Sequence, residues 1–189
     1  GAGAVNTRRP NKNVGGPIRT IANDLISNYE SLSLIFRQRL HKGISGQVSY
    51  TWAHSLDVNT DSNGGGTPMN PYNWRADYGN ANWDIRHRFL LNSVYELPFF
   101  SNSRGLLRAV LEKWQVNGAL VVQTGMPFNV STAIDTANTD SRGVYRPNLV
   151  GQPRNNCGGE HLVGCIDPTA FALPGVYEYG NAGRNLMYG

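Results

Sequence analysis

Residues 57–64, Asp57-Val58-Asn59-Thr60-Asp61-Ser62-Asn63-Gly64, form a stretch dense in side-chain oxygens. Oxygens so spaced are what a hard cation such as calcium takes as ligands. The spacing of a helix–loop–helix calcium site fails, because no Glu stands at the twelfth position. A flexible surface loop is the better reading. Farther along, Asn70–Tyr78 places Tyr72, Trp74, Arg75 and Tyr78 among polar residues. Rings beside polar groups can stack on a carbohydrate or a base, so these four are the candidate ligand-contact residues. Packing within the loop is the plainer account of the same residues. Cys157 and Cys165 stand in a Gly/Pro/Asn-rich stretch and are the only two cysteines. A local disulfide between them is expected, which needs an oxidising compartment. His161 lies between them, but a fourth ligand is missing, so a metal site is not expected.

No catalytic constellation emerges. Gly43-Ile44-Ser45-Gly46 is not a nucleophile elbow, since it sits at a strand turn rather than ahead of a helix. The histidines His41, His54, His87 and His161 are scattered, and no spacing selects a triad. The chain therefore reads as a non-enzyme without cofactor or metal. A small hydrolase with a hidden site is the remotest alternative.

Composition narrows the elements that could position such loops. In 189 residues only 16% are charged and 40% hydrophobic, and Gly reaches 22. A coiled coil lacks its Ala/Glu/Lys/Leu composition here, and collagen lacks its period of three. A helical membrane protein needs about 18 uncharged apolar residues in a row, far more than any stretch offers. Aromatics at 10% are too many for a disordered chain. The net charge of +4 is spread thinly, with Arg86-His87-Arg88 the densest cluster. That suits a solvated basic surface, and no nucleic-acid partner is expected. The chain starts Gly1-Ala2-Gly3-Ala4 with neither Met nor an apolar leader. It reads as an excerpt of something longer.

Period-two alternation marks four strands. Tyr29–Leu40 sets Leu32, Leu34, Phe36 and Leu40 against Ser31, Ser33, Arg37 and Arg39. Ile44–Leu56 sets Ile44, Val48, Tyr50, Trp52 and Leu56 against Ser45, Gln47, Ser49 and Thr51. Asp84–Leu97 sets Ile85, Phe89, Leu91, Tyr95 and Leu97 against Arg86, Arg88, Asn92 and Glu96. Trp114–Val130 sets Trp114, Val116, Leu120, Val122, Met126 and Phe128 against Gln115, Asn117 and Gln123. A weaker strand is expected over Ile18–Asn23, and a short helix or turn over Arg104–Trp114. The expected organisation is a loop or linker over 1–16, antiparallel strands over 17–130 with a long loop at 57–83, and a long loop region over 131–189.

Such strands exceed the usual five or six residues. Each has one apolar face and one polar face. In an outer-membrane barrel the apolar face meets lipid, the polar face lines the lumen, and short turns alternate with long loops. Tyr50, Trp52, Tyr95 and Trp114 are suited to an interface girdle. A soluble antiparallel sheet covered by a second layer remains the alternative, in the form of a binding or self-assembling structural module.

The motifs extend the argument. Ser27-Asn28-Tyr29-Glu30-Ser31-Leu32 with Arg37-Gln38-Arg39-Leu40-His41-Lys42-Gly43 is followed by Ser49-Tyr50-Thr51-Trp52-Ala53-His54-Ser55-Leu56-Asp57. Then come Asp84-Ile85-Arg86-His87-Arg88-Phe89, Leu97-Pro98-Phe99 and Trp114-Gln115-Val116-Asn117-Gly118. Thr124-Gly125-Met126-Pro127-Phe128 and Tyr179-Gly180-Asn181-Ala182-Gly183-Arg184-Asn185 complete the series. In this order, over residues 16–189, they resemble the C-terminal barrel part of Oar-like TonB-dependent outer-membrane receptors. Those receptors carry a carboxypeptidase-regulatory-like domain at the N-terminus. His54 and Lys113 depart from the family's usual Lys or Arg and Gly, without changing strand polarity.

The resemblance implies a fragment of a 22-stranded barrel in the bacterial outer membrane. It implies a receptor that imports scarce nutrients or binds at the surface. Its partners would be outer-membrane lipid, the remaining barrel and plug of a longer chain, and an energising complex in the inner membrane. Four or five strands make about a fifth of such a barrel, so transport by these residues alone is not expected.

Overall fold

The computed structural model describes residues 1–15, 25–60, 68–98, 105, 114–139, 144–153 and 166–189. Ile18–Asn23 lies outside them, as do Cys157, His161 and Cys165. Of the connector 104–114, only Gly105 and Trp114 lie inside. Among the described residues the fold is all-β, with three single turns of 3-10 helix. It divides into two units, Glu30–His54 with Ile85–Thr124, and Gly1–Tyr29 with Ser55–Asp84 and Gly125–Gly189.

The first unit is a sheet. β1 (Ser27–His41), β2 (Ile44–Asp57), β4 (His87–Glu96) and β5 (Gln115–Gln123) lie in the order β1-β2-β4-β5, with the described β2-β4 and β4-β5 pairs antiparallel. β1 and β2 are joined by a two-residue turn. Lys42 at φ 50° and Gly43 at φ 81° are both left-handed, the combination whose twist matches a tight hairpin. A side chain at Gly43 would also come within 2.8 Å of the Glu96 carbonyl.

Register sorts the faces as alternation predicts. Ile44 faces Tyr95, Val48 faces Leu91, and Tyr50 faces Phe89. Tyr95, Leu91 and Phe89 in turn face Val116, Leu120 and Val122. The opposite face pairs Gln47 with Asn92 and Thr51 with Arg88, which faces Gln123. β1 joins that polar face, because Arg37 Nε donates to Gln47 Oε1 at 2.7 Å and Ser33 meets Thr51 at 3.4 Å. Leu90, Val94 and Val121 are apolar residues on the polar side. One row of the apolar side, Gly46-Ser93-Gly118, is made of small residues and leaves an open depression. β5 is shorter than expected. It stops at Gln123, since Gly125 and Pro127 interrupt the pattern and proline has no N–H for a ladder.

No described residue of the sheet unit is fully buried. Leu32, Leu34, Phe36, Ile44, Val116, Leu120 and Val122 are each about half exposed or more. Open sheet edges run along β1 and β5, and the described strands do not close into a barrel.

The second unit holds the core. Its buried apolar residues are Met69, Ala81, Ala137, Ala170, Ala182 and Met187. Its regular structure is brief. β3 (Gly79–Asn80) pairs with Leu56 and Asp57. β6 (Pro127–Phe128) pairs with β9 (Met187–Tyr188), and β7 (Asn148–Leu149) pairs with β8 (Phe171–Ala172). Small core residues let loops approach closely, and side-chain hydrogen bonds replace the ladders that short strands cannot supply.

Candidate functional site

The four candidate contact residues lie on one structured turn. Asn73 N–H donates to the Asn70 carbonyl, Ala76 N–H to Asn73, and Tyr78 N–H to Arg75. Residues Trp74–Asp77 form a 3-10 turn within it. Tyr72 is 94% exposed, and Arg75 and Tyr78 are also exposed. Trp74 differs. It is half-buried, and its indole N–H donates to the Pro71 carbonyl at 2.6 Å.

A buried ion pair holds this turn in place. Arg146 Nη1 meets Asp77 Oδ1 at 2.6 Å, and Nη2 donates to the Ala76 carbonyl at 2.7 Å. The second Asp77 oxygen accepts the Met69 N–H at 3.0 Å. Both charged groups are buried, so each depends on the other for its charge to be tolerated.

Fold contacts add residues that the sequence did not single out. Tyr177 N–H donates to the Thr136 carbonyl at 2.7 Å, and the Thr136 hydroxyl donates to the Glu178 carbonyl at 3.0 Å. Asp135 accepts the Thr139 N–H at 2.7 Å. Tyr177 sits at φ 69°, a conformation an aromatic residue rarely adopts. The Tyr179 phenol is raised above its ordinary value, first by burial, then by the Asp135 carboxylate and by Tyr72. The fold thus gathers Tyr72, Asp135, Tyr177 and Tyr179 from three distant segments. Only the Tyr-Glu-Tyr run before Gly180 could have signalled this in the sequence.

The oxygen-rich loop 57–64 begins with an aspartate already in use. Arg184 Nη1 contacts the Asp57 carboxylate and donates to its carbonyl at 2.8 Å. Its Nη2 donates to the Thr60 hydroxyl at 2.6 Å, and that hydroxyl donates to Asp57 Oδ2 at 2.7 Å. Asp61, Ser62, Asn63 and Gly64 lie outside the described residues. Beside Arg184, buried Asn185 donates to the Asn80 carbonyl at 2.7 Å and to Asn82 Oδ1 at 2.8 Å. Its own N–H donates to Asn129 Oδ1 at 2.8 Å. Asp84, also buried, accepts the Ser55 N–H at 2.7 Å and the Tyr188 hydroxyl at 2.8 Å. Gly180 packs so closely that an added Cβ would lie 1.9 Å from the Arg146 carbonyl oxygen. The run Gly180–Asn185 therefore serves as a clasp, tying the end of the chain to the 57–60 and 79–82 segments.

A family model described as an outer membrane beta barrel domain matches residues 1–189. The chain belongs to that family. Its location is accordingly the bacterial outer membrane. Neither a curated protein nor a solved structure matches the chain. For an outer-membrane barrel domain, strands of 10 and 9 residues such as β4 and β5 have the length that crosses an apolar band when tilted. β1 and β2, at 15 and 14 residues, exceed that length.

Proposed function

We propose that this chain is part of a TonB-dependent outer-membrane receptor of the Oar-like type, acting in uptake or surface binding and not in catalysis. The observation that carries the reading is the sheet's apolar face, whose Leu32, Leu34, Phe36, Val116, Leu120 and Val122 are each about half exposed or more among the described residues. In this reading the apolar face meets outer-membrane lipid. Further strands of the parent barrel continue from the edges of β1 and β5, and a plug occupies the polar side. An inner-membrane complex energises the assembly. Ligand contact falls to Tyr72, Arg75 and Tyr78 with Tyr177 and Tyr179, and Trp74 braces their loop. The described sheet alone does not transport.

The test is purification of the 189-residue chain with and without detergent, read by light scattering and far-UV circular dichroism. The expected result is β structure only in detergent. A monodisperse β-rich species in plain buffer overturns the membrane reading. It would favour a soluble module self-assembling through the open edges of β1 and β5.

A further inference from the structure

The polar side of the sheet carries its charge unevenly. Arg88, exposed, stands between Thr51 and Gln123. Arg37, also exposed, reaches Gln47 Oε1 through Nε at 2.7 Å. Gln47 lies four positions from Thr51 along β2, so the two guanidiniums are anchored at heights about 13 Å apart. The hydrogen-bonding side chains around them, Gln47, Thr51, Asn92 and Gln123, are uncharged. Arg86, opposite Ala53, adds a guanidinium on this side with His54 among its partners. Within the sheet unit the described carboxylate on this side is Glu96, beside the Lys42-Gly43 turn, where Gln115 Nε2 donates to it at 3.1 Å. Glu30, an odd number of positions from Ser33, falls on the other side. From the long-loop end of β2 toward the turn, the order is therefore Arg86, Arg88, Arg37, Glu96.

We infer that this wall binds a small anionic ligand, one that carries carboxylate or phosphate groups, with Arg88 and then Arg37 as successive contacts. The inference rests on the proposed reading that the polar side lines the lumen. A guanidinium is permanently charged, and its planar fork matches two oxygens of a carboxylate or phosphate at once. Long loops of outer-membrane barrels lie on the outer side, so a ligand entering from outside meets Arg88 before Arg37. Separated cations with neutral hydrogen-bonding groups between them give several weak holds in place of one strong one, as a ligand that must move on requires. Glu96 lies beyond both arginines, so the attraction is confined to the stretch above it. An acidic face on a resident plug would complement the same charges, but their staggered order matters only to something that travels.

The test uses the outer-membrane protein that carries this chain, reconstituted in phosphatidylcholine vesicles, with Thr51→Cys placed beside Arg88. Labelling of the introduced thiol by an uncharged, water-soluble methanethiosulfonate is timed against the unsubstituted protein. It is repeated with citrate, pyrophosphate or glucose present. Citrate or pyrophosphate should slow labelling about fivefold, and glucose should not. Adding Arg88→Gln should abolish that protection, and Arg88→Lys should keep most of it. An anionic thiol reagent should also outrun a cationic one by about tenfold. That comparison needs no arginine variant, so misfolding of Arg88→Gln cannot mask the outcome. Equal rates for the two charged reagents, or equal protection by glucose, overturn the inference and leave a water-lined lumen standing. A thiol that reacts only after urea has released the plug makes the plug the occupant of this wall, which also overturns it. A thiol that reacts in neither state shows that the polar side does not line the lumen, and the proposed reading falls with the inference.

Discussion

The sheet unit and the loop unit are built for different surroundings. In the loop unit, buried alanines, methionines and ion pairs make a compact interior, and the aspartates and asparagines at its centre are hydrogen-bonded. In the sheet unit no described residue is fully buried, and the apolar residues of β1 and β5 such as Leu34, Phe36, Val116 and Val122 are more than half exposed. Burying the remaining half of its large apolar side chains is worth on the order of 10 kcal/mol, as much as the whole stability of an ordinary domain. The loop unit also exposes Tyr72, Val150, Leu173 and Val176, but unlike the sheet it has a buried interior. On the proposed function, the sheet meets lipid and the loops meet water.

The sharpest way to break this comparison is to remove a buried charge from the loop unit. Arg146→Ala leaves the Asp77 carboxylate buried without its partner, and should cost about 3–5 kcal/mol. Hydrogen exchange over residues 69–78 should rise strongly, while exchange in β2 and β4 holds. A similar rise in both units would erase the distinction.

Next in size is a charge placed on the sheet. Leu120→Arg, in the middle of the apolar face, should destabilise the bilayer-inserted protein by about 2–4 kcal/mol. Asn117→Arg, on the polar face of the same strand, should cost far less. Denaturant titration in lipid vesicles reads both. Equal costs would mean that the two faces see the same medium.

A smaller effect sharpens the sheet's side of the comparison. Lys42 occupies a left-handed position for which Asn is better suited, and Asn-Gly is a preferred pair for this turn. Lys42→Asn should stabilise by about 0.5 kcal/mol, seen as a shifted denaturation midpoint with an unchanged slope.

The smallest effect belongs to pH. Tyr179 holds its proton more tightly in the fold than in the unfolded chain. Its contribution is complete below the ordinary tyrosine value of 10.0 and is lost as pH rises through the raised folded value. Loop-unit stability should therefore decline in strong alkali, and Tyr179→Phe should flatten that decline.

The same division explains what could be read in advance. Strand alternation is local and repeats every second residue, so β1, β2 and β4 and the faces they present were legible. So was the turn at Lys42-Gly43. The end of β5 was not, because Met126 and Phe128 continue its alternation while Phe128 pairs with Met187, 59 positions on. The loop core carries no period at all. Arg146 and Asp77 lie 69 positions apart, and nothing near either residue names the other. At the candidate site, Tyr72 was visible as a ring among polar residues. The supporting role of Trp74 was not, since it depends on a hydrogen bond to a backbone carbonyl.

The row Gly46-Ser93-Gly118 bears on how the sheet can curve. A sheet that closes on itself must bend, and glycines inside strands are where a backbone bends most easily. Gly46 and Gly118 stand level with Ser93 across three neighbouring strands, so a bend in β2 and one in β5 fall at the same height. Alanine at both positions would stiffen that line and flatten the arc.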